Sequence, residues 1–194
     1  MILEHLSAWD QAITLFLNSF HCPGSDALWL VISEKYVWFP AYGVLIGFLI
    51  WRLGWKRGLI VVGTILLTIL LVDQSSYHIK EAIQRLRPCH CEPMLARGLH
   101  CPCSDASLYG FFSGHAANSF ALVACTLTAL KADTAHRYRA FAWCSYVWAA
   151  LVALSRVMIG VHYFGDIFVG TLWGLALGFG MGLLARWILA RVRG

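Results

Sequence analysis

Three short stretches carry side chains capable of chemistry in a chain that is otherwise largely apolar. The last of them supplies Arg156, His162 and Asp166. Asp166 comes four residues after His162, which puts the two on one face if that turn is helical. A carboxylate that holds one ring nitrogen leaves the other free to act as a nucleophile. The first stretch runs from Lys80 to Pro88. If residues 73 to 87 continue as one helix, Asp73, Tyr77, Lys80, Gln84 and Arg87 share a face, and Pro88 ends the helix just after the arginine. A lysine point charge and a planar arginine fork two turns apart suit an anion with several oxygens, such as phosphate. Between these stretches, Ser113-Gly114-His115 stands where a helix should begin. Free backbone N–H groups and the helix dipole favour an anion there, and Gly114 lets it come close to the main chain. Ionisable groups at membrane depth are costly and default to a functional reading.

The elements that must position these residues are membrane helices. Of the 194 residues, 59% are hydrophobic and only 13% charged, which excludes a soluble globular domain. The expected fold is all-α: a single membrane-embedded domain over residues 1–194, a polytopic bundle of about five transmembrane helices with an N-terminal amphipathic helix in the interface plane. That first helix, residues 1–21, sets Ile2, Leu6, Trp9, Ile13, Phe16 and Phe20 on one face and Glu4, Ser7, Gln11, Thr14 and Asn18 on the other; packing on the other helices is the second reading, and the two are compatible. Residues 22–26 break it, with Asp26 expected as the N-cap of the next helix. A span needs about 20 apolar residues; the spans fall at about 27–51, 58–78, 113–131, 138–156 and 164–190. Glu34, Lys35 and Pro40 interrupt the first, so its outer third belongs at headgroup level. Gly170, Gly174, Gly178 and Gly180 form a small-residue stripe in the last, read as close helix packing.

The net charge of +5 would suggest nucleic acid in a soluble chain, but here the basic residues sit in short loops and report topology, so no nucleic-acid partner is expected. Arg52, Lys56, Arg57, Lys131, Arg137, Arg139, Arg186, Arg191 and Arg193 share one side with a single acid, Asp133. By the positive-inside rule that side and the C-terminus are cytoplasmic, and all three chemical stretches end on the outer face.

In chain order the stretches read K-x6-R-P, S-G-H and S-R-x5-H-x3-D. This resembles the type-2 phosphatidic acid phosphatase and vanadium haloperoxidase superfamily, in its bacterial integral-membrane lipid phosphatase branch. The match departs from the family pattern at Phe112, where proline is usual. The resemblance implies that His162 attacks phosphorus in line and becomes a phosphohistidine, that Asp166 orients it, and that His115 protonates the leaving oxygen and later activates water. It implies further that Lys80, Arg87, Arg156, the Ser113 hydroxyl and the Gly114 amide hold the phosphate oxygens, and that neither metal nor other cofactor is needed. The implied function is hydrolysis of a lipid phosphate monoester or diphosphate at the periplasmic face of the inner membrane. Candidate substrates are lipid A, undecaprenyl diphosphate, phosphatidylglycerol phosphate and phosphatidic acid; the expected partners are the substrate and the bilayer, with no obligate protein partner. A phosphotransferase with the same site, or a lipid-phosphate transporter without chemistry, are the alternatives.

The outer loop, residues 88–112, holds Cys89, Cys91, Cys101 and Cys103 among the chain's seven cysteines. On an oxidising face they are expected to form disulfides between the two clusters, since cysteines two apart do not easily join each other. Zinc is the other ligand such a density of soft donors would suit.

Overall fold

The structure, a computed structural model, describes residues 2–102 and 106–192. Cys103 and Arg193 lie outside the described residues. The described chain is helical without a strand: α1 Ile2–Asn18, α2 Pro23–Ser33, a 3-10 turn Lys35–Trp38, α3 Phe39–Leu53, α4 Trp55–Ile83, α5 Glu92–Ala96, α6 Gly114–Leu130, α7 Arg139–Met158 and α8 Phe164–Leu189.

Four segments are long and apolar enough to cross a membrane: Lys35–Leu53, Trp55–Ile83, Arg139–Met158 and Phe164–Leu189; α6, also apolar, is 17 residues long. At about 1.5 Å per residue α6 falls slightly short of a bilayer's hydrocarbon, and it is the most enclosed helix of the bundle. The expected span 27–51 is not one helix. The chain turns at Glu34, whose carboxylate accepts from the Tyr36 N–H, and α2 stands apart as an eleven-residue helix packed on α7. Asp26 is not the cap of α2 but lies in its first turn, behind an N-cap at Cys22.

The bundle is apolar on its outside and small or polar within. Val44, Trp51, Leu66, Trp143 and Trp187 are exposed, whereas the buried residues of α6 include Ala116, Ala117, Ser119, Ala121, Ala124, Thr126 and Thr128. Lipid tails are as apolar as leucine, so helix association in a membrane rests on close packing of small residues. The α6–α8 contact is the most extensive in the molecule. A Cβ on Gly170, Gly174 or Gly178 would lie 2.6, 2.2 or 2.4 Å from the carbonyl oxygens of Ser113, Ala117 and Ala121. The stripe continues to Gly182, not Gly180, which has open space at its Cβ position. Gly174→Ala should therefore lower stability by about 1–3 kcal/mol, while Gly180→Ala should not lower it; thermal unfolding in detergent measures both.

At one end of the bundle, Arg52 pairs with Asp133 at 3.3 Å and donates to the Tyr138 hydroxyl at 3.0 Å. This joins the α3–α4 and α6–α7 turns where the basic loops lie. The three chemical stretches gather at the other end.

Candidate active site

The segment between α7 and α8 is held from its backbone outward. Gly160 has φ +71°, and a Cβ there would meet the His100 carbonyl at 2.5 Å, so only glycine fits. The N–H groups of Val161 and His162 both donate to the Arg156 carbonyl, at 3.1 and 3.2 Å. His162 precedes α8, so the expected helical turn from His162 to Asp166 is absent. Asp166 sits instead in the first turn of α8 and reaches back, its Oδ2 accepting from the Tyr163 N–H at 3.1 Å and lying 3.2 Å from His162 Nδ1. Arg87 Nη1 stands 2.9 Å from His162 Nε2. A guanidinium only donates, so Nε2 carries the lone pair and Nδ1 carries the proton given to Asp166. Burial first, then the positive charges of Arg87, Arg156, Lys80 and Arg85, hold His162 well below its ordinary pKa. The imidazole, 1% exposed, is neutral and aims its unprotonated nitrogen at a cation.

Arg87 reaches this place by a route the helical spacing did not foretell. The α4 helix stops at Ile83, because Gln84 is left-handed at φ 52° and caps Lys80. Arg85 to Arg87 then run extended beside Leu108 to Gly110, with Arg87 N–H donating to Leu108 O at 3.1 Å and Gly110 N–H to Arg85 O at 2.9 Å. The Arg87 side chain also donates to Val161 O at 3.0 Å and to the Ser107 hydroxyl at 2.9 Å. Gly110 leaves room for this pair: its Cβ would stand 3.1 Å from Arg87 Cγ and 3.2 Å from Asp166 Oδ2.

A second arginine, Arg85, completes the carboxylate's surroundings. It donates to Asp166 Oδ1 at 2.7 Å and to Asp10 Oδ2 at 2.6 Å, with its guanidinium 4.0 Å from the centre of the Tyr163 ring. Asp10 belongs to α1, and its other oxygen accepts from Gly165 N–H at 2.6 Å. Thr14 accepts from Phe164 N–H at 2.9 Å. Asn18 donates to the carbonyls of His100, Val157 and Met158 at 2.9–3.1 Å and accepts from His100 N–H at 2.8 Å. The polar face of α1 thus braces the end of α7 and the start of α8, while Leu6, Trp9, Phe16 and Phe20 point outward.

The remaining expected site residues surround the opening. Lys80 and His115 stand close enough to Arg87 and Arg156 to feel their charges, and His115 also feels His162. A Cβ on Gly114 would lie 3.8 Å from Lys80 Nζ. Ser113 is fully buried as the N-cap of α6, its hydroxyl facing the Ala116 N–H at 3.5 Å, and its own N–H donates to Asp166 O at 3.0 Å. Arg156 donates to the Ser33 hydroxyl and, with His115 and Val161, lines a chamber of about 420 Å³. A cavity of about 830 Å³ starts at Lys80, Gly114 and His115 and passes between α3, α4 and α6 to Leu45, Leu49 and Ile65.

In the outer loop, Cys91 is a free thiol packed against the cluster of Met94, Leu99 and Tyr163, so the expected disulfide at Cys91 is not formed. Among the described residues no three His, Cys, Asp or Glu side chains converge as a metal site.

The model of the PAP2 superfamily matches residues 57–192. This chain belongs to the PAP2 superfamily. A lipid A 4'-phosphatase of Porphyromonas gingivalis is 31% identical over 177 residues, covering 91% of this chain and 72% of that protein. A lipid A 4'-phosphatase of Bacteroides thetaiotaomicron is 32% identical over 181 residues, covering 92% of this chain and 76% of that protein. The PAP2 fold is shared with a crystal structure of a transmembrane PAP2-type phosphatidylglycerolphosphate phosphatase from Bacillus subtilis. The TM-score is 0.67 at 20% identity, covering 97% of this chain and 88% of that one. LpxE of Aquifex aeolicus gives a TM-score of 0.61 at 21% identity, covering 88% and 92%.

Proposed function

We propose that this chain hydrolyses the phosphate monoester of a lipid A-type glycolipid through a phosphohistidine on His162, without a metal. As a member of the family with lipid A 4'-phosphatases among its relatives, it is a membrane lipid phosphatase of the PAP2 type. The observation that carries the proposal is the cavity that begins at the Lys80, Gly114 and His115 end and continues between the helices along apolar walls. A phosphate seated at its polar end leaves the acyl chains in that apolar length.

The resting geometry supplies the steps. Arriving phosphate displaces the Arg87 contact from His162 Nε2, and Arg87 passes to an equatorial oxygen with Lys80, Arg156 and the Gly114 N–H. Ser113 fixes the first turn of α6 that presents this N–H. His115 takes up a proton as the phosphate dianion binds beside it; Nε2 attacks phosphorus in line, the bond from phosphorus to the sugar oxygen breaks, and His115 delivers that proton to the leaving oxygen. Asp166 stabilises the positive charge that grows on the ring. Water, deprotonated by His115, then attacks phosphorus, releases inorganic phosphate and restores neutral His162. Three cations and a helix N-terminus supply the positive charge a metal supplies elsewhere.

The site faces the periplasm of the inner membrane and the C-terminus the cytoplasm, a reading supported by the basic loops gathered at the opposite end. The outward apolar face of α1 lies in the outer interface. An oxidising compartment also permits Cys103 to pair across the loop with Cys89 of the other cluster.

The test is phosphate release in detergent from lipid A, phosphatidic acid, phosphatidylglycerol phosphate and undecaprenyl diphosphate. Lipid A should be turned over fastest, EDTA should leave the rate unchanged, and vanadate, which becomes five-coordinate like the transition state, should inhibit. Loss of activity in EDTA with recovery on adding Zn²⁺ or Mg²⁺ would refute the metal-free mechanism.

A further inference from the structure

Just below the phosphate end, the cavity carries polar groups that the reaction does not use. On α4, Asp73, Ser76 and Lys80 line it at spacings of three and four, and on α6 Gly114 and Asn118 line it four residues apart. Ser76 is 3% exposed, and its hydroxyl finds no hydrogen-bond partner among the described residues. That hydroxyl lies 3.3 Å from the Cβ position of Gly114, on the same side as Lys80 Nζ. One turn deeper, Asn118 Nδ2 donates to Asp73 Oδ1 at 2.7 Å. A carboxylate accepts only, so this contact fixes which way the amide points. The amide oxygen Oδ1 of Asn118 is then buried and without a partner among the described residues. Asp73 is the deepest acid of the spans, and beyond this level the walls are Ile65, Ile69 and Leu122.

Resting on the lipid phosphatase reading, we infer that Asp73, Ser76 and Asn118 form a specificity subsite that hydrogen-bonds O–H or N–H donors on the sugar carrying the scissile phosphate. The subsite offers mainly acceptors: a carboxylate, an amide oxygen and a hydroxyl. Four residues of helix advance about 6 Å, so it meets the group bonded directly to the phosphate and not the acyl chains further down. A sugar phosphate brings hydroxyl and amide N–H groups to that level. A diacylglycerol phosphate brings only ester oxygens, which leave Ser76 and Asn118 to share a single hydroxyl proton. A diphosphate places its second anion toward the Asp73 carboxylate. Unpaired buried acceptors discriminate strongly against a ligand that lacks donors, which makes the subsite a filter for the leaving group.

The test compares kcat/KM for lipid A and for dioleoyl phosphatidic acid in the same detergent, for wild type, Asn118→Leu and Ser76→Ala. The ratio of the two values does not depend on the folded fraction of each variant. Wild type should favour lipid A; the ratio should fall at least about tenfold in Asn118→Leu and by a smaller factor in Ser76→Ala. A ratio unchanged or raised in both variants would overturn the inference alone. Wild type that releases phosphate from neither lipid would overturn the phosphatase reading and the inference with it.

Discussion

His162→Asn abolishes turnover while the chain stays folded. The asparagine amide reaches the place of Nδ1 and donates to Asp166, so the buried carboxylate keeps Arg85, the Tyr163 N–H and a third donor. What disappears is the lone pair on Nε2, which Arg87 marks in the resting site. Loss of a nucleophile from a set of residues that act together costs on the order of 10³-fold or more in kcat. The unfolding midpoint in detergent should move by only a few degrees, since no buried charge is left unpaired. Phosphate release and thermal unfolding on one preparation check both halves, and more than trace turnover would remove His162 from the nucleophile's role.

Much of this site is legible in the sequence because charged residues are scarce in the chain. Against an apolar background, Lys80, Arg87, His115, Arg156, His162 and Asp166 stand out by type alone, and the structure brings them to one end of the bundle. The reasons for their meeting are less legible. Helical spacing predicts Lys80 and Arg87 on one face, but Gln84 takes a left-handed turn that its side chain does not announce, and Arg87 arrives from an extended segment paired with residues near Tyr109. The polar face of α1 reads equally as solvated in the interface plane or as packed on the other helices, because periodicity tells which residues share a face and not what covers it. In the fold the second half of that face is turned inward, with Thr14 and Asn18 buried and Trp9 71% exposed, while Glu4 and Ser7 stay exposed. Asp10, Arg85 and Ser107 have no motif to mark them; Arg85 has one signal, its place two residues before Arg87. The glycine stripe is visible by period, yet its register in the last turn is set by contact with Thr128, which selects Gly182.

Arg85→Met should be the next most damaging change after loss of the nucleophile, by a different cause. Arg85 is the only side chain bridging Asp166 and Asp10 among the described residues, and Asp166 is fully buried. Without it two carboxylates face each other with no cation between them. Removing one partner of a buried ion pair costs about 3–5 kcal/mol, and the lower end applies because Arg85 is 26% exposed. The fold answers in one of two ways. Either Asp166 takes up a proton and ceases to hold the Nδ1–H tautomer, or α1 swings away from the start of α8. Both leave His162 misaligned, and misaligning a catalytic group costs about 10²-fold. The loss should fall on kcat with KM nearly constant, because Lys80, Gly114 and Arg156 still hold the phosphate. Asp10→Asn keeps an acceptor for only one of the Gly165 N–H and Arg85, but Arg85 still holds the buried Asp166, so it should lose much less. A variant at Arg85 that raised KM with kcat unchanged would place this arginine on the substrate and not behind the nucleophile.

Trapping the phosphorylated residue identifies the nucleophile without recourse to any variant. Wild-type enzyme mixed with lipid A and quenched in base within a single turnover, then digested, should carry phosphate on the peptide containing His162, and mild acid should remove it. Full phosphate release with no phosphorylated peptide at any time point, or phosphate found on His115 and not on His162, would contradict the mechanism.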